Sequence, residues 1–183
     1  MRASLIGVIA FVAAGAATHA VLLFGSPTWA TDYQIEQGIK RGGGWNGLIY
    51  GKPPRAGTTT VGLANPDTLG TRAYLDLSKG PLIVEGVRPE SCAYWSLSVF
   101  AHDTDTVLVM SDRELPSGRL AVALRTADQA VAEPVQASAV LPSPKGVLLI
   151  RCFMKTRTDA AYVAGLAKEV RAVTMRPAKV AAS

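Results

Sequence analysis

The chain has 183 residues, 49% of them hydrophobic and 18% charged, with a formal net charge of +5. That length supports one domain with a sizeable core. The lysines and arginines are scattered rather than blocked, so the sequence carries no nucleic-acid footprint, and a modest positive charge of this kind serves solubility.

Residues 1–30 read as a membrane anchor or signal segment. The run 5–25, LIGVIAFVAAGAATHAVLLFG, contains no Lys, Arg, Asp or Glu. As a helix it would span about 31 Å, close to the thickness of a hydrocarbon core. Two readings fit. One is a retained single-pass anchor. The other is a cleaved signal peptide, with Arg2 as its basic start and Thr28-Trp29-Ala30 as an imperfect cleavage triplet. The length of the run and the interfacial aromatic Trp29 favour the anchor. Arg2 places the N-terminus on the cytoplasmic side of the inner (plasma) membrane, with the bulk of the chain extracytoplasmic. His19 falls inside the run, where a neutral imidazole hydrogen-bonded within the helix or to a partner is expected.

Residues 31–57 read as a short helix and an irregular connector. Thr31 and Gln34 have the spacing of a capping box, and the helix that follows ends at Gly42-Gly43-Gly44. Residues 58–173 then read as a mainly β domain. Strands are expected at 58–63, 71–77, 82–87, 93–101, 106–110, 119–125 and 147–153. In 71–77, Ala73, Leu75 and Leu77 share one face and Arg72, Tyr74 and Asp76 the other. In 93–101, Trp95, Leu97 and Val99 oppose Tyr94, Ser96, Ser98 and Phe100. Short alternating strands separated by Gly-, Pro- and Ser-rich turns predict a β-sandwich or jelly-roll-like fold. A C-terminal helix follows, capped by Thr158 and helped by Asp159, with Tyr162, Leu166, Val170 and Val173 on one stripe. Residues 174–183 read as a flexible tail.

Chemistry-bearing residues are few. The exported part has one histidine, His102, in the turn-like sequence AHDTDT beside Asp103 and Asp105. That spacing suits a metal poorly and a turn well, so no metal and no cofactor is expected. No nucleophile elbow, dinucleotide fingerprint or phosphate-loop motif occurs. Asp67 and Asp76 complete the candidate polar groups, and both read first as turn residues. Cys92 and Cys152 adjoin strand patterns. They read either as a disulfide, in an oxidising compartment, or as two buried apolar thiols.

The stretch Asn65-Pro66-Asp67-Thr68-Leu69, followed by Ala73-Tyr74-Leu75-Asp76-Leu77-Ser78-Lys79-Gly80-Pro81, resembles the domain of unknown function 1254 family. Tyr94-Trp95-Ser96-Leu97 and Pro142-Ser143-Pro144 leading to 147–151 match it as well. Gly70 stands where that family usually has Tyr, and Tyr74 where it often has Trp. The resemblance implies a β-sandwich module, often accompanied by a second uncharacterised domain, and brings no reaction with it.

Two functions are therefore expected to compete. The first is a non-catalytic envelope module, held to the membrane through residues 5–25, that binds a partner protein, a companion membrane protein carrying the second domain. The second is an enzyme or small-ligand binder acting on a carbohydrate-like or lipid-like envelope compound through Asp67, Asp76, His102, Asp103 and Asp105. Convergence of at least three of these in one concave pocket would separate them.

Overall fold

The computed structural model describes residues 2–52, 65–115 and 118–180, with side chains from residue 5 onward. The strand expected at 58–63 lies outside the described residues. The chain begins with a continuous helix, α1 (Arg2–Lys40). Its first two-thirds expose apolar side chains all round, Phe11 at 80% for example. Among the described residues it is the one helix long and apolar enough to cross a membrane. Pro27 lies inside it, and there proline withholds an amide from the carbonyl four residues back. The helix nevertheless continues, supported by the Thr28 hydroxyl donating to the Gly25 carbonyl at 2.9 Å and the Thr31 hydroxyl to the Pro27 carbonyl at 3.0 Å.

Thr31 is therefore not an N-cap. The capping-box spacing is present, but helix already exists upstream and leaves no free amides to cap. At the other end, Gly42 adopts a φ of 91°, the left-handed position that ends helices at low cost only for glycine, and the Gly43 amide closes onto the Gly38 carbonyl.

The remaining elements are mainly strands: β1 (Ile49–Tyr50), β2 (Thr68–Asp76), β3 (Leu82–Val87), β4 (Tyr94–Ala101), β5 (Thr106–Ser111), β6 (Arg119–Thr126), β7 (Ala137–Leu141), β8 (Lys145–Phe153) and β9 (Thr174–Pro177), with α2 (Ala160–Val170) between the last two. They form two sheets. The first has the order β1-β2-β8-β4-β5 and the second β7-β6-β3-β9. The pairs are antiparallel except β6 with β7, which is parallel. The fold is thus mainly β, with a long N-terminal helix and a C-terminal helix.

The alternation seen in the sequence puts Ala73 and Leu75 of β2, Trp95, Leu97 and Val99 of β4, and Leu148 and Ile150 of β8 into one core. They meet Leu82 and Val84 of β3 and Leu120, Val122 and Leu124 of β6. Fully burying each of the leucine, isoleucine and valine side chains among these contributes about 1.5–3 kcal/mol. α2 closes one end through Leu166 and Val170. Its N-cap is Asp159, whose carboxylate accepts from the amides of Ala161 and Tyr162. Thr158 is one residue too early and pairs with Thr156 instead.

Residues 174–177 are not a tail. β9 forms the edge of the second sheet beside β3, and Arg176 lies between Glu85 and Glu133 with paired hydrogen bonds to each. The guanidinium and the Lys179 amide hold the Glu133 carboxyl down at about 2. A four-residue strand ending in proline has too little pattern to be seen in sequence.

The sulfurs of Cys92 and Cys152 are joined in a disulfide, with 5.4 Å between the Cα atoms. It ties the residues before β4 to the centre of the first sheet, across a sequence separation of 60. A loop of that size is expected to stabilise by about 4 kcal/mol in the chain-entropy description. Unfolding of the detergent-solubilised chain by urea should therefore shift to lower concentration on reduction. The Cys92→Ala/Cys152→Ala double variant should show the same loss and no further response to reductant.

Candidate functional site

The last turns of α1 lie across the outer face of the first sheet. Thr31 and Ile35 are buried there, Ile35 at 3% exposure. Gly38 faces the ring of Tyr74 from β2 so closely that a Cβ at 38 would fall on the tyrosine hydroxyl. Trp45 then bridges to Tyr74 through the backbone. Residues 31, 35 and 38 follow the spacing of one helical face, so a single stripe meets the sheet.

A polar clasp completes this junction. Asp32 Oδ1 lies 2.9 Å from His102 Nε2 and 2.9 Å from Lys145 Nζ. His102 opens the turn between β4 and β5, and Lys145 opens β8. The lysine and histidine hydrogen bonds hold the Asp32 carboxyl below its ordinary 3.8. Within the same turn the Asp103 carboxylate accepts from the Asp105 amide at 3.2 Å, so these two residues shape the turn.

Asp76 is the cross-strand partner of Lys145 and so sits beside the clasp. Asp76 ends β2, and its carboxylate accepts from the Ser78 amide at 3.0 Å. Hydrogen bonding from the Ser78 side chain and then from its amide lowers the pKa of Asp76. Asn46 takes both backbone groups of Asp76, at 2.7 and 2.8 Å. Asp67 lies at the opposite end of β2. Its carbonyl accepts from Met154, and its carboxylate, 56% exposed, faces Arg157 at 3.8 Å.

Asp76, His102, Asp103 and Asp105 thus share one end of the first sheet, and Asp67 lies at the other. The cavities on the outer face of the first sheet are lined by other residues. Among the described residues, no group of three His, Cys, Asp or Glu side chains could hold a metal ion. Sequence reasoning found His102 but missed its partners. Asp32 read as part of a capping box, and nothing local marked Lys145.

The profile of a family described as protein of unknown function (DUF1254) matches residues 45–174. The chain belongs to the DUF1254 family. Its DUF1254 region thus starts just past α1 and includes α2 and every strand up to the start of β9. No curated protein matches the chain. Among solved structures, the VPA0106 protein from Vibrio parahaemolyticus is similar at 19% identity and a TM-score of 0.66, over 86% of this chain and 36% of that one. An uncharacterised protein from Burkholderia cenocepacia is similar at 20% identity and a TM-score of 0.45, over 86% of this chain and 39% of that one. The Vibrio likeness concerns the fold, and the DUF1254 chain spans about a third of that protein's length.

The clasp gives a pH-dependent expectation. A depressed carboxyl contributes stability that is present above its unfolded value and lost as pH falls through its folded value. Asp32→Asn should lower the thermal midpoint slightly at neutral pH, since the pair is half exposed and such pairs contribute little. That difference from wild type should vanish as pH drops below 3.8, the ordinary value for the group. A difference that persists in acid would mean that packing, not charge, carries the Asp32 contribution.

Proposed function

We propose that the chain is a membrane-tethered, non-catalytic envelope module that binds a partner protein along the open edge of its first sheet. The supporting observation is β5. It ends the strand order of that sheet, and its sequence Thr-Val-Leu-Val-Met-Ser contains no charge and no proline. Val109 on it is 58% exposed. Soluble proteins usually blunt such edges with lysine, proline or a covering segment. β5 has neither lysine nor proline, and past the irregular register at Val107 its run Leu108–Ser111 suits the addition of a partner's strand, with backbone hydrogen bonds giving affinity.

Two further observations support the reading. α1 supplies the tether, and its clasped junction holds the sandwich in a fixed pose relative to the span. Arg2 orients the tether with its N-terminus in the cytoplasm and the sandwich outside the inner membrane. The chain also aligns with only 36% of the Vibrio protein, which suits a partner that carries the companion domain. The catalytic alternative draws no support from Asp67, Asp76, His102, Asp103 and Asp105, because each serves a local turn or an ion pair.

The test is affinity isolation of the full chain from solubilised membranes, with a photo-crosslinking residue at position 109. A stoichiometric partner crosslinked at that position is expected. Val109→Lys should abolish its recovery while leaving the thermal midpoint unchanged, since an exposed substitution costs little. Recovery of no stoichiometric partner, or full recovery with Val109→Lys, would overturn the reading.

A further inference from the structure

A groove runs beneath α1 along the outer face of the first sheet. Its first part is a cavity of about 480 Å³, walled by Ala30 and Thr31 of α1 and by Tyr74, Phe100, Val147 and Leu149 of the sheet. Its second part, about 340 Å³, continues past Gly70 to Arg151. Arg72 and Leu149 line both. Each volume lies in the range of small-ligand sites.

The groove changes character along its length. Near Ala30 it is apolar, and Ala30 lies only about 7 Å of helix rise beyond the apolar run 5–25. Farther on, two guanidiniums share the face. Arg72 pairs with Leu149 and Arg151 with Gly70 across the β2–β8 ladder. The two arginines are therefore diagonal neighbours, with backbones about 7–8 Å apart. Neither has a carboxylate partner among the described residues. Two unpaired like charges this close repel until an anion sits between them, and paired guanidiniums suit a phosphate. Gly70 keeps the wall beside Arg151 open, because a Cβ there would meet nothing within 4 Å.

We propose that this groove binds an anionic phospholipid, with an acyl chain along Tyr74, Phe100, Val147 and Leu149 and the phosphate between Arg72 and Arg151. The polarity suits a lipid: an apolar part that begins at Ala30, close to the apolar run 5–25, and a charged part beside it along the strands. The proposal rests on α1 being a membrane anchor, and it is independent of the partner edge at β5.

Native mass spectrometry of the full chain in detergent tests it, with phosphatidylglycerol, phosphatidylcholine and oleate as separate probes. One phosphatidylglycerol per chain is expected, with phosphatidylcholine and oleate much weaker. Arg72→Gln and Arg151→Gln should each weaken phosphatidylglycerol by about tenfold, the loss expected for one charge-assisted contact. Arg72→Lys should retain part of the affinity. Gly70→Tyr, which fills the wall between the two arginines and leaves the net charge unchanged, should weaken it too. Equal binding of phosphatidylcholine, binding of oleate alone, or unchanged affinity in both Gln variants would overturn the proposal. Carbonate extraction of membranes separates the two readings. Retention of the chain in the membrane with no bound phosphatidylglycerol sinks the lipid site and spares the anchor. Release of the chain with lipid binding intact sinks the anchor and spares the site.

Discussion

The packing of the last turns of α1 on the first sheet is the constraint on which the rest of the structure depends. A helix that is apolar all round has no preferred side, whereas residues 31, 35 and 38 commit the end of α1 to one. The sheet answers with Tyr74, whose ring lies against a glycine because only a bare backbone can approach so closely. Alanine would favour the helix by about 1 kcal/mol at such a position. The overlap with Tyr74 outweighs that gain, so contact rather than helix propensity dictates the residue. Asp32 then adds direction, since its carboxylate reaches the turn after β4 and the start of β8, which are neighbours in the sheet though far apart in the chain.

Within the sandwich, β8 is the organising strand. It pairs with β2 on one side and β4 on the other, and it carries Cys152 of the disulfide. Its inward residues are core and its outward residues change from Lys145 through Val147 and Leu149 to Arg151. One strand therefore supplies the clasp, the apolar wall and a cation of the groove in succession. The period of two that builds the core also sets this order on the other face.

Much of the fold was legible because burial leaves a period in the sequence. β3 follows from a short apolar run, the inward faces of β2 and β4 follow from alternation, and the mainly β architecture follows from the spacing of the strands. The failures have local causes. β7 and β9 are short, and β9 owes its place to Arg176 meeting Glu85 and Glu133, a contact that no window of sequence contains. Thr31 misled because a capping motif has meaning only where a helix begins. The site was less legible than the fold. His102 stood out as a rare residue, but Asp32 and Lys145 come from distant positions. The groove is invisible in sequence because its walls are the outward residues of strands that otherwise look like ordinary polar faces. Gly70 was noticed as a departure from the family pattern, and the space it leaves could be recognised only in three dimensions.

β9 also has a consequence for the order of events in biogenesis. Leu82 pairs with Pro177, and Thr68 of β2 pairs with Phe153 of β8, so both sheets are assembled from segments far apart in the chain. Contacts of that kind make folding slow, because long loops must close before any pairing rewards them. The second sheet cannot gain its β9 edge until residues 174–177 have emerged. Until then the outer edge of β3 has no partner, and incomplete chains with unpaired edges are the most prone to aggregate.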